Sequence, residues 1–517
     1  MNKFATPLIL VAVGNVAVGC TSSFGKSSSE ELPNILILMA DQFRYSALGF
    51  LGTEPVMTPN LDRFISQGVY CSEATSPHPL SSPGRAVFMT GQYPLHNGVT
   101  GNCTSKTEPY GVQLREDAAC WSDILSSHGY SLGYIGKWHL DSPVEPHVNT
   151  SNNTDKIAWN EWCPPHRRHA FSYWLSYGTY DKHLRPVYWD TDAARDEFFY
   201  VDQWGPEYEA QKAIDYIDNV GGVRKAGTPV ALVVSMNPPH SEYPHCPQKY
   251  KDLYADLDIE ALADRFGTIK GPESSTGQYY RQNIKNYYAC ITGVDEQMGL
   301  ILKHLDSCGL ANNTIVVLLS DHGNCLGLND QPGPKNNYYD PSFRIPLAIR
   351  YPGRLTPSVN PLPIDLSDVY PTIFGLMGKA EWIDSGADGE DLSKSLRKGK
   401  VATSRRPYLD YQVGHPENSA WGRRGFRNKR YTFVLQLKDN EITEVHCFDR
   451  KKDPKEMNDI GENLSKGMRR RMMKELQKEL RRFSDPFAEQ TIFKRSKQYL
   501  KTNSNEKKLM YPGNNPV

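Results

Sequence analysis

The chain has 517 residues, 39% of them hydrophobic and 23% charged, which suits a soluble globular protein with a large core and two domains. Lysine plus arginine and aspartate plus glutamate both number 59, so the formal net charge is zero. That balance gives no support to a nucleic-acid partner or a basic membrane-binding face.

The first residues differ from the rest. Lys3 precedes the apolar run PLILVAVGNVAVG, too short for a bilayer span and placed where a secretory signal belongs. Ala17, Val18 and Gly19 before Cys20 look like a bacterial lipobox, with Ala17 standing where leucine is commoner. The pattern predicts a signal peptide over residues 1–20, a lipid anchor on Cys20, and an outer-membrane or periplasmic lipoprotein. A plainly cleaved signal would leave a periplasmic protein instead. The polar stretch TSSFGKSSSEE follows, and residues 21–32 read as a tether. Ten cysteines are present. With Cys20 lipidated, the remainder is odd and scattered, without a CxxC pair or zinc-like spacing, so at least one thiol is left over.

NILILMA, from Asn34 to Ala40, is a continuous apolar run, as in a strand buried on both faces. PNLDRFISQG reads as a helix. SSPGRAVFMTG, starting at Ser81, reads as a turn leading into a helix closed by Thr-Gly. SLGYIG, PVALVVSMN, TIVVLLS and IPLAIRY repeat the buried-strand pattern at Ser131, Pro229, Thr314 and Ile345. Between the second and third of these lies KNYYACITGVDEQMGLILKHLDSCG, a helical stretch with Gly309 as its C-terminal stop. Strand–helix alternation predicts an α/β fold with a large, mostly parallel central sheet flanked by helices over residues 33–395. Ligands bind such sheets at the carboxyl ends of the strands. Near Ser395 the pattern changes. SLRKGKVATSRRP reads as a basic linker, followed by the strand-like runs RYTFVLQL and EVHCFD. Met468, Met472, Leu476, Leu480 and Phe483 then mark one face of a helix. This predicts a smaller C-terminal α+β domain over residues 396–490, an antiparallel sheet plus a helix. Residues 491–517 form a polar tail.

Asp41 and Gln42 follow the first buried strand, and Asp321 and His322 follow TIVVLLS. Either pair alone reads as turn capping. Together, with Ser81 as a third element, they could converge on one hard cation. GKWHL places Lys137 and His139 after another strand, where alternation would aim both side chains one way and Trp138 the other. His240 ends PVALVVSMN-PPH, and Lys335 sits in a Gly/Pro/Asn-rich segment. Ser81 carries Arg85 four residues on and has no obvious base beside it.

These residues resemble the type I sulfatases of the alkaline phosphatase superfamily. SSPGR fits the signature Cys/Ser-x-Pro-x-Arg. MADQ, GKWHL, NPPH, SDHG and the Lys335-to-RIP segment occur in the family's order, and IDLSDVYPTIFGLMG resembles its Asp-x-x-Pro-Thr segment. The resemblance runs from about Pro33 to Asn463, and makes residues 33–395 a catalytic domain. It implies that Ser81 is oxidised to Cα-formylglycine, by the anaerobic-type maturating enzyme because the residue is serine. It implies one calcium ion held by Asp41, Gln42, Ser81, Asp321 and His322, with Gln42 and His322 standing where relatives often carry Asp and Asn. Imidazole also suits transition metals, and magnesium is a second choice. The implied reaction is attack of the aldehyde hydrate on sulfur. Arg85, Lys137 and Lys335 neutralise charge, His240 protonates the departing oxygen, and His139 helps the second hydroxyl to collapse the intermediate.

The implied substrate is a sulfated carbohydrate. His166, Arg167, His169, Trp174, His183 and Arg185, in the aromatic and charged stretch from His166 to Asp190, are candidate sugar-binding residues, with a surface excursion packed on itself as the alternative. Two rival functions fit the same residues. One is a phosphodiesterase or phosphonate monoester hydrolase of the same superfamily. The other is a sulfated-glycan-binding lipoprotein without catalysis.

Overall fold

The computed structural model describes residues 32–153, 156–399, 408–415, 418–439 and 441–490. The expected signal peptide, Cys20, nearly all of the tether and the polar tail lie outside the described residues. So does most of the expected linker, whose first residues belong to a short helix, Ser393–Lys398.

In chain order the strands are β1 (Asn34–Ala40), β2 (Val69–Thr75), β3 (Ser131–Lys137), β4 (Tyr173–Tyr177), β5 (Val187–Tyr188), β6 (Phe199–Tyr200), β7 (Val230–Met236), β8 (Thr314–Leu319), β9 (Leu347–Arg350) and β10 (Ser358–Asp365). Four more follow: β11 (Tyr408–His415), β12 (Asn418–Arg427), β13 (Tyr431–Lys438) and β14 (Glu441–Asp449). Eight strands form one sheet in the order β10-β2-β9-β8-β1-β7-β3-β4. β9 runs antiparallel to both its neighbours, and every other adjacent pair is parallel.

Successive side chains on a strand face opposite ways, so a run such as NILILMA is stable only if both faces are covered. Leu36, Leu38 and Ala40 pack with Leu61 and Phe64 of the Pro59–Ser66 helix, Ala213 of Gly205–Ile217 and Ile291 of the long Ser275–Ser307 helix. Ile35, Ile37 and Met39 pack against Val87 of the Ser81–Thr90 helix, Trp121 of Trp121–Ser127 and Phe374 of Val369–Met377. Each fully buried aliphatic side chain contributes about 1.5–3 kcal/mol. The result is three layers, helix–sheet–helix. The long helix begins ten residues before the periodic stretch read from sequence, where Ser274 accepts a hydrogen bond from Gly277 N. It ends where expected, with Gly309 at φ +71° just beyond it.

The strand order sets the site. β8, β1, β7 and β3 are adjacent and parallel, so their four carboxyl ends lie side by side.

The C-terminal unit is the antiparallel sheet β11-β12-β13-β14 with the Lys466–Arg482 helix. Met472, Leu476, Leu480 and Phe483 pack onto Phe433, Leu435 and Val445 of the sheet. The opposite face meets the first domain through buried charge. Arg427 Nη1 donates to Glu456 Oε1 at 3.0 Å and Arg427 Nη2 to Asp340 Oδ2 at 2.7 Å. None of the nine described cysteines is in a disulfide.

Candidate active site

Ser81 is the first residue of the Ser81–Thr90 helix, preceded by the extended Leu80, and is 1% exposed. A Cβ added at Gly84 would stand 2.5 Å from Asp321 O, so the helix's first turn lies directly on the loop after β8. Asp41 follows β1, its N bonded to Met236 O at the end of β7 at 3.0 Å. Gln42 turns the chain away at φ +64°. Its N donates to Asp321 Oδ1 at 3.2 Å, which ties the β1 and β8 loops together.

Arg85 projects from the same helix face as Ser81, one turn on. Its Nε donates to Asp321 Oδ2 at 3.0 Å and its Nη2 to Asp41 Oδ2 at 3.1 Å. Its Nη1 serves Lys137 O at 2.6 Å and Ser235 Oγ at 2.7 Å. Arg85 therefore works beneath the site, as a clamp on two buried carboxylates. Lys137 adds a second cation, with Nζ 2.7 Å from Asp41 Oδ2 and 3.1 Å from Asn237 Oδ1. Burial pushes the Asp41 pKa up, but Lys137, His240, His322 and Arg85 outweigh it and hold Asp41 well below the carboxylate range. Asp321 goes the other way. Burial and the Asp41 charge push it up to about 7, against the pull of Arg85 and Lys137.

His322 donates from Nδ1 to Gly323 O at 2.8 Å, which leaves Nε2 as a bare acceptor. Nε2 lies 3.0 Å from Ser81 Oγ and 3.4 Å from Asp41 Oδ1. Burial and the Lys335 charge keep this imidazole neutral. Asp41, Asp321 and His322 are all buried, with ligand atoms close enough to share one ion. Two buried oxygens here, Asp41 Oδ1 and Gln42 Oε1, have no hydrogen-bond partner among the described residues. Gln42 Nε2 donates to Tyr243 OH at 3.1 Å, which orients the amide. Unsatisfied buried acceptors beside a neutral imidazole are costly unless a cation serves them, so the residues fit a bound divalent metal.

On the other side of Ser81, Lys335 Nζ is 3.3 Å from Ser81 Oγ and 2.7 Å from His240 Nε2. Burial and Lys137, opposed by Asp41, push its pKa down to about 8. His240 Nδ1 is 2.8 Å from Ser241 O and 3.2 Å from Asp181 Oδ1. Burial, Lys335 and Lys137 lower the His240 pKa, and Asp181 opposes them. His139 does not sit on an extended segment as read from sequence, because Gly136 and His139 take φ of +95° and +54°. Trp138 does turn into the core, edge-on to Tyr134. His139 Nε2 donates to Cys103 O at 3.2 Å, and its buried Nδ1 has no partner among the described residues.

Asp41, Gln42, Ser81, Arg85, Lys137, His139, His240, Asp321, His322 and Lys335 thus fall in one neighbourhood. Five of the six candidate sugar residues do not join them. Trp174 is 1% exposed and packs on Tyr134 and Trp138, because its position on β4 faces the core. His169 pairs with Asp123 at 3.0 Å, and Arg167 with Asp141 at 2.5 Å. Arg185 pairs with Asp202 at the surface, and His166 is exposed. Only His183 comes near, its Nε2 3.3 Å from His240 O, where it supports the His240 loop. Sequence reasoning missed Asp181 and Asn237. Asn237 was in view, inside NPPH. Asp181 sits two residues before His183, with nothing to separate it from any other loop aspartate.

Fold and site define a hydrolase of anionic esters. The Sulfatase family profile matches residues 33–379, and the profile for the C-terminal part of N-sulphoglucosamine sulphohydrolase matches residues 334–485. The chain belongs to the sulfatase family, the type I sulfatases of the alkaline phosphatase superfamily. It is similar to the endo-4-O-sulfatase of Bacteroides thetaiotaomicron, 32% identical over 504 residues that cover 92% of this chain and 97% of that one. The ulvan-active sulfatase of Formosa agariphila is 30% identical over 479 residues, covering 90% and 85%. Among solved structures, yidJ of Bacteroides fragilis superposes with a TM-score of 0.85 at 47% identity, covering 90% of this chain and 98% of that one.

Proposed function

We propose that this sulfatase removes O-sulfate groups from a sulfated glycan, with Ser81 converted to Cα-formylglycine and one calcium ion held by Asp41, Gln42, Asp321 and His322. One observation carries the reading. Ser81 Oγ stands between His322 Nε2 at 3.0 Å and Lys335 Nζ at 3.3 Å, beside two buried oxygens that lack partners among the described residues. The names of the two curated relatives, an endo-4-O-sulfatase and an ulvan-active sulfatase, support a polysaccharide substrate.

Bound, the cation supplies Lewis-acid polarisation of the sulfate, and the formylglycine supplies a hydrated aldehyde as nucleophile. The chain's own groups do the rest. Lys137 and Lys335 offset the anionic charge that gathers at the site. Arg85 holds Asp41 and Asp321 in place. His240 delivers a proton from Nε2 to the leaving sugar oxygen, drawing on the Lys335 ammonium 2.7 Å away. His139, with Nδ1 bare, is the base. A lipid anchor at Cys20 and maturation by an anaerobic-type enzyme complete the reading, and both rest on sequence alone.

The test is production with and without a serine-type maturating enzyme, followed by mass spectrometry of the Ser81 peptide and a sulfate-release assay on defined sulfated saccharides. The expected result is a loss of about two mass units at Ser81 that tracks activity. An intact serine in fully active protein would refute the nucleophile. Comparable turnover of an aryl phosphate would refute the choice of sulfate.

A further inference from the structure

The chain contains no CxxC pair, yet a mixed oxygen, nitrogen and sulfur cluster forms far from Ser81. The Ser275–Ser307 helix ends with His304 in its last turn and Cys308 at its cap. Four residues apart, they share one face. The Gly205–Ile217 helix packs alongside and is capped by Asp218. Asp218 precedes β7 and Cys308 precedes β8, so the cluster lies at the amino ends of those strands, across the sheet from the active site.

His304 Nε2 is 2.8 Å from Asp218 Oδ1 and 3.4 Å from Cys308 Sγ. One ring nitrogen can give a single proton, yet a carboxylate and a sulfur both converge on it. All three candidate ligand atoms lie within 4.8 Å of one another. Tetrahedral zinc, with bonds of about 2.0 Å to nitrogen and oxygen and about 2.3 Å to sulfur, would place nitrogen about 3.3 Å from oxygen and about 3.5 Å from sulfur. From the observed 2.8 Å and 3.4 Å, the nitrogen–oxygen spacing has to open by about 0.5 Å and the nitrogen–sulfur spacing by about 0.1 Å. Two helices also end here, and the negative ends of their dipoles favour a cation. The His304 and Asp218 side chains are 19% and 33% exposed, so an ion can reach them from solvent.

We propose that Asp218, His304 and Cys308 bind one zinc-type divalent cation, with water in the fourth position, and so tie the C-terminal ends of the two helices together. The thiolate and imidazole select a borderline-soft ion over calcium. The site is separate from the sulfatase reaction.

The test uses the full-length protein, reduced and saturated with calcium, titrated with cobalt(II) as a spectroscopic stand-in for zinc. One equivalent should give a near-ultraviolet thiolate-to-cobalt charge-transfer band, and zinc should then displace it. The active site holds no sulfur ligand, so the band reports a cysteine site. Cys308→Ser should abolish the band and leave sulfate release unchanged. His304→Gln and Asp218→Asn should each weaken zinc binding at least about tenfold. Absence of the band in the unaltered protein would overturn the proposal. So would a band that survives Cys308→Ser and disappears in Cys120→Ser, which would move the site to the trio Cys120, Asp123 and His169.

Discussion

Asp181→Asn tests the assignment of His240 as the acid. The substitution keeps an oxygen where Asp181 Oδ1 now faces His240 Nδ1 at 3.2 Å and Asn237 Nδ2 at 3.2 Å, and it removes only the charge. At 3.2 Å an effective dielectric near 20 gives a bare attraction of about 5 kcal/mol. Desolvation, with Lys335 and Lys137 nearby, takes most of that back. The ordinary response of a side chain to losing one adjacent opposite charge is about one to three pK units. Burial, Lys335 and Lys137 already lower the His240 pKa, and Asp181 opposes them. Without Asp181 the imidazolium gives up its proton at still lower pH, so the alkaline limb of the kcat profile should move down by about one unit or more. At neutral pH, kcat on a sulfated sugar should fall by about a hundredfold, the lower end of what a general acid contributes. An aryl sulfate, whose phenolate leaves without much help, should lose far less. The assay is sulfate release from both substrates across pH, with melting temperature as a folding control. Equal losses on the two substrates, with an unshifted limb, would refute the reasoning.

Four further outcomes are expected. Gly84→Ala should lower stability by about 1–3 kcal/mol and depress turnover, because its Cβ would press on Asp321 O; unchanged melting and kcat would contradict that close approach. Arg427→Met should cost about 3–5 kcal/mol in thermal unfolding, since it takes the Arg427 cation from the buried Glu456 and leaves Asp340 with Arg344 alone. At His446 burial lowers the pKa, but Asp459 and Glu444 outweigh it and raise it to about 9. The stabilisation is full below the unfolded value near 6.5 and lost as pH climbs through 9, worth about 1–2 kcal/mol after solvent screening, and His446→Gln should flatten that part of the stability curve. Chelation should lower the melting temperature and calcium at a hundred times its Kd should restore about 2.7 kcal/mol; no response to either would remove the cation from the Asp41–Asp321 site.

What could be read from sequence depended on whether a residue's role is set by its own stretch of chain. β1, β7 and β8 are buried on both faces, so their runs are apolar without a break and announce themselves. β2 reads VYCSEAT, with Ser72 and Glu73 only half-buried, and has no such signature. IPLAIRY signalled a strand but not its direction. β9 runs antiparallel because of the route its connection takes from β8, which no local pattern records. The site divides in the same way. Asp41, Asp321 and His322 sit one to three residues past buried strands, and in a parallel sheet that position alone brings them together. Arg85 was visible as a partner of Ser81 on one helix face, but spacing could not show that it points down at two carboxylates. Asp181 was invisible, because its meaning comes from strand order. β4 is the edge strand beside β3, and β3 lies beside β7. Only that sequence of neighbours carries a loop aspartate after β4 to within 3.2 Å of a histidine after β7. The same holds for Asp218, which becomes a ligand candidate only when its helix is laid against the end of another. Contacts made between neighbouring elements, rather than along one, are where reasoning from sequence stops and where the untested chemistry of this sulfatase lies.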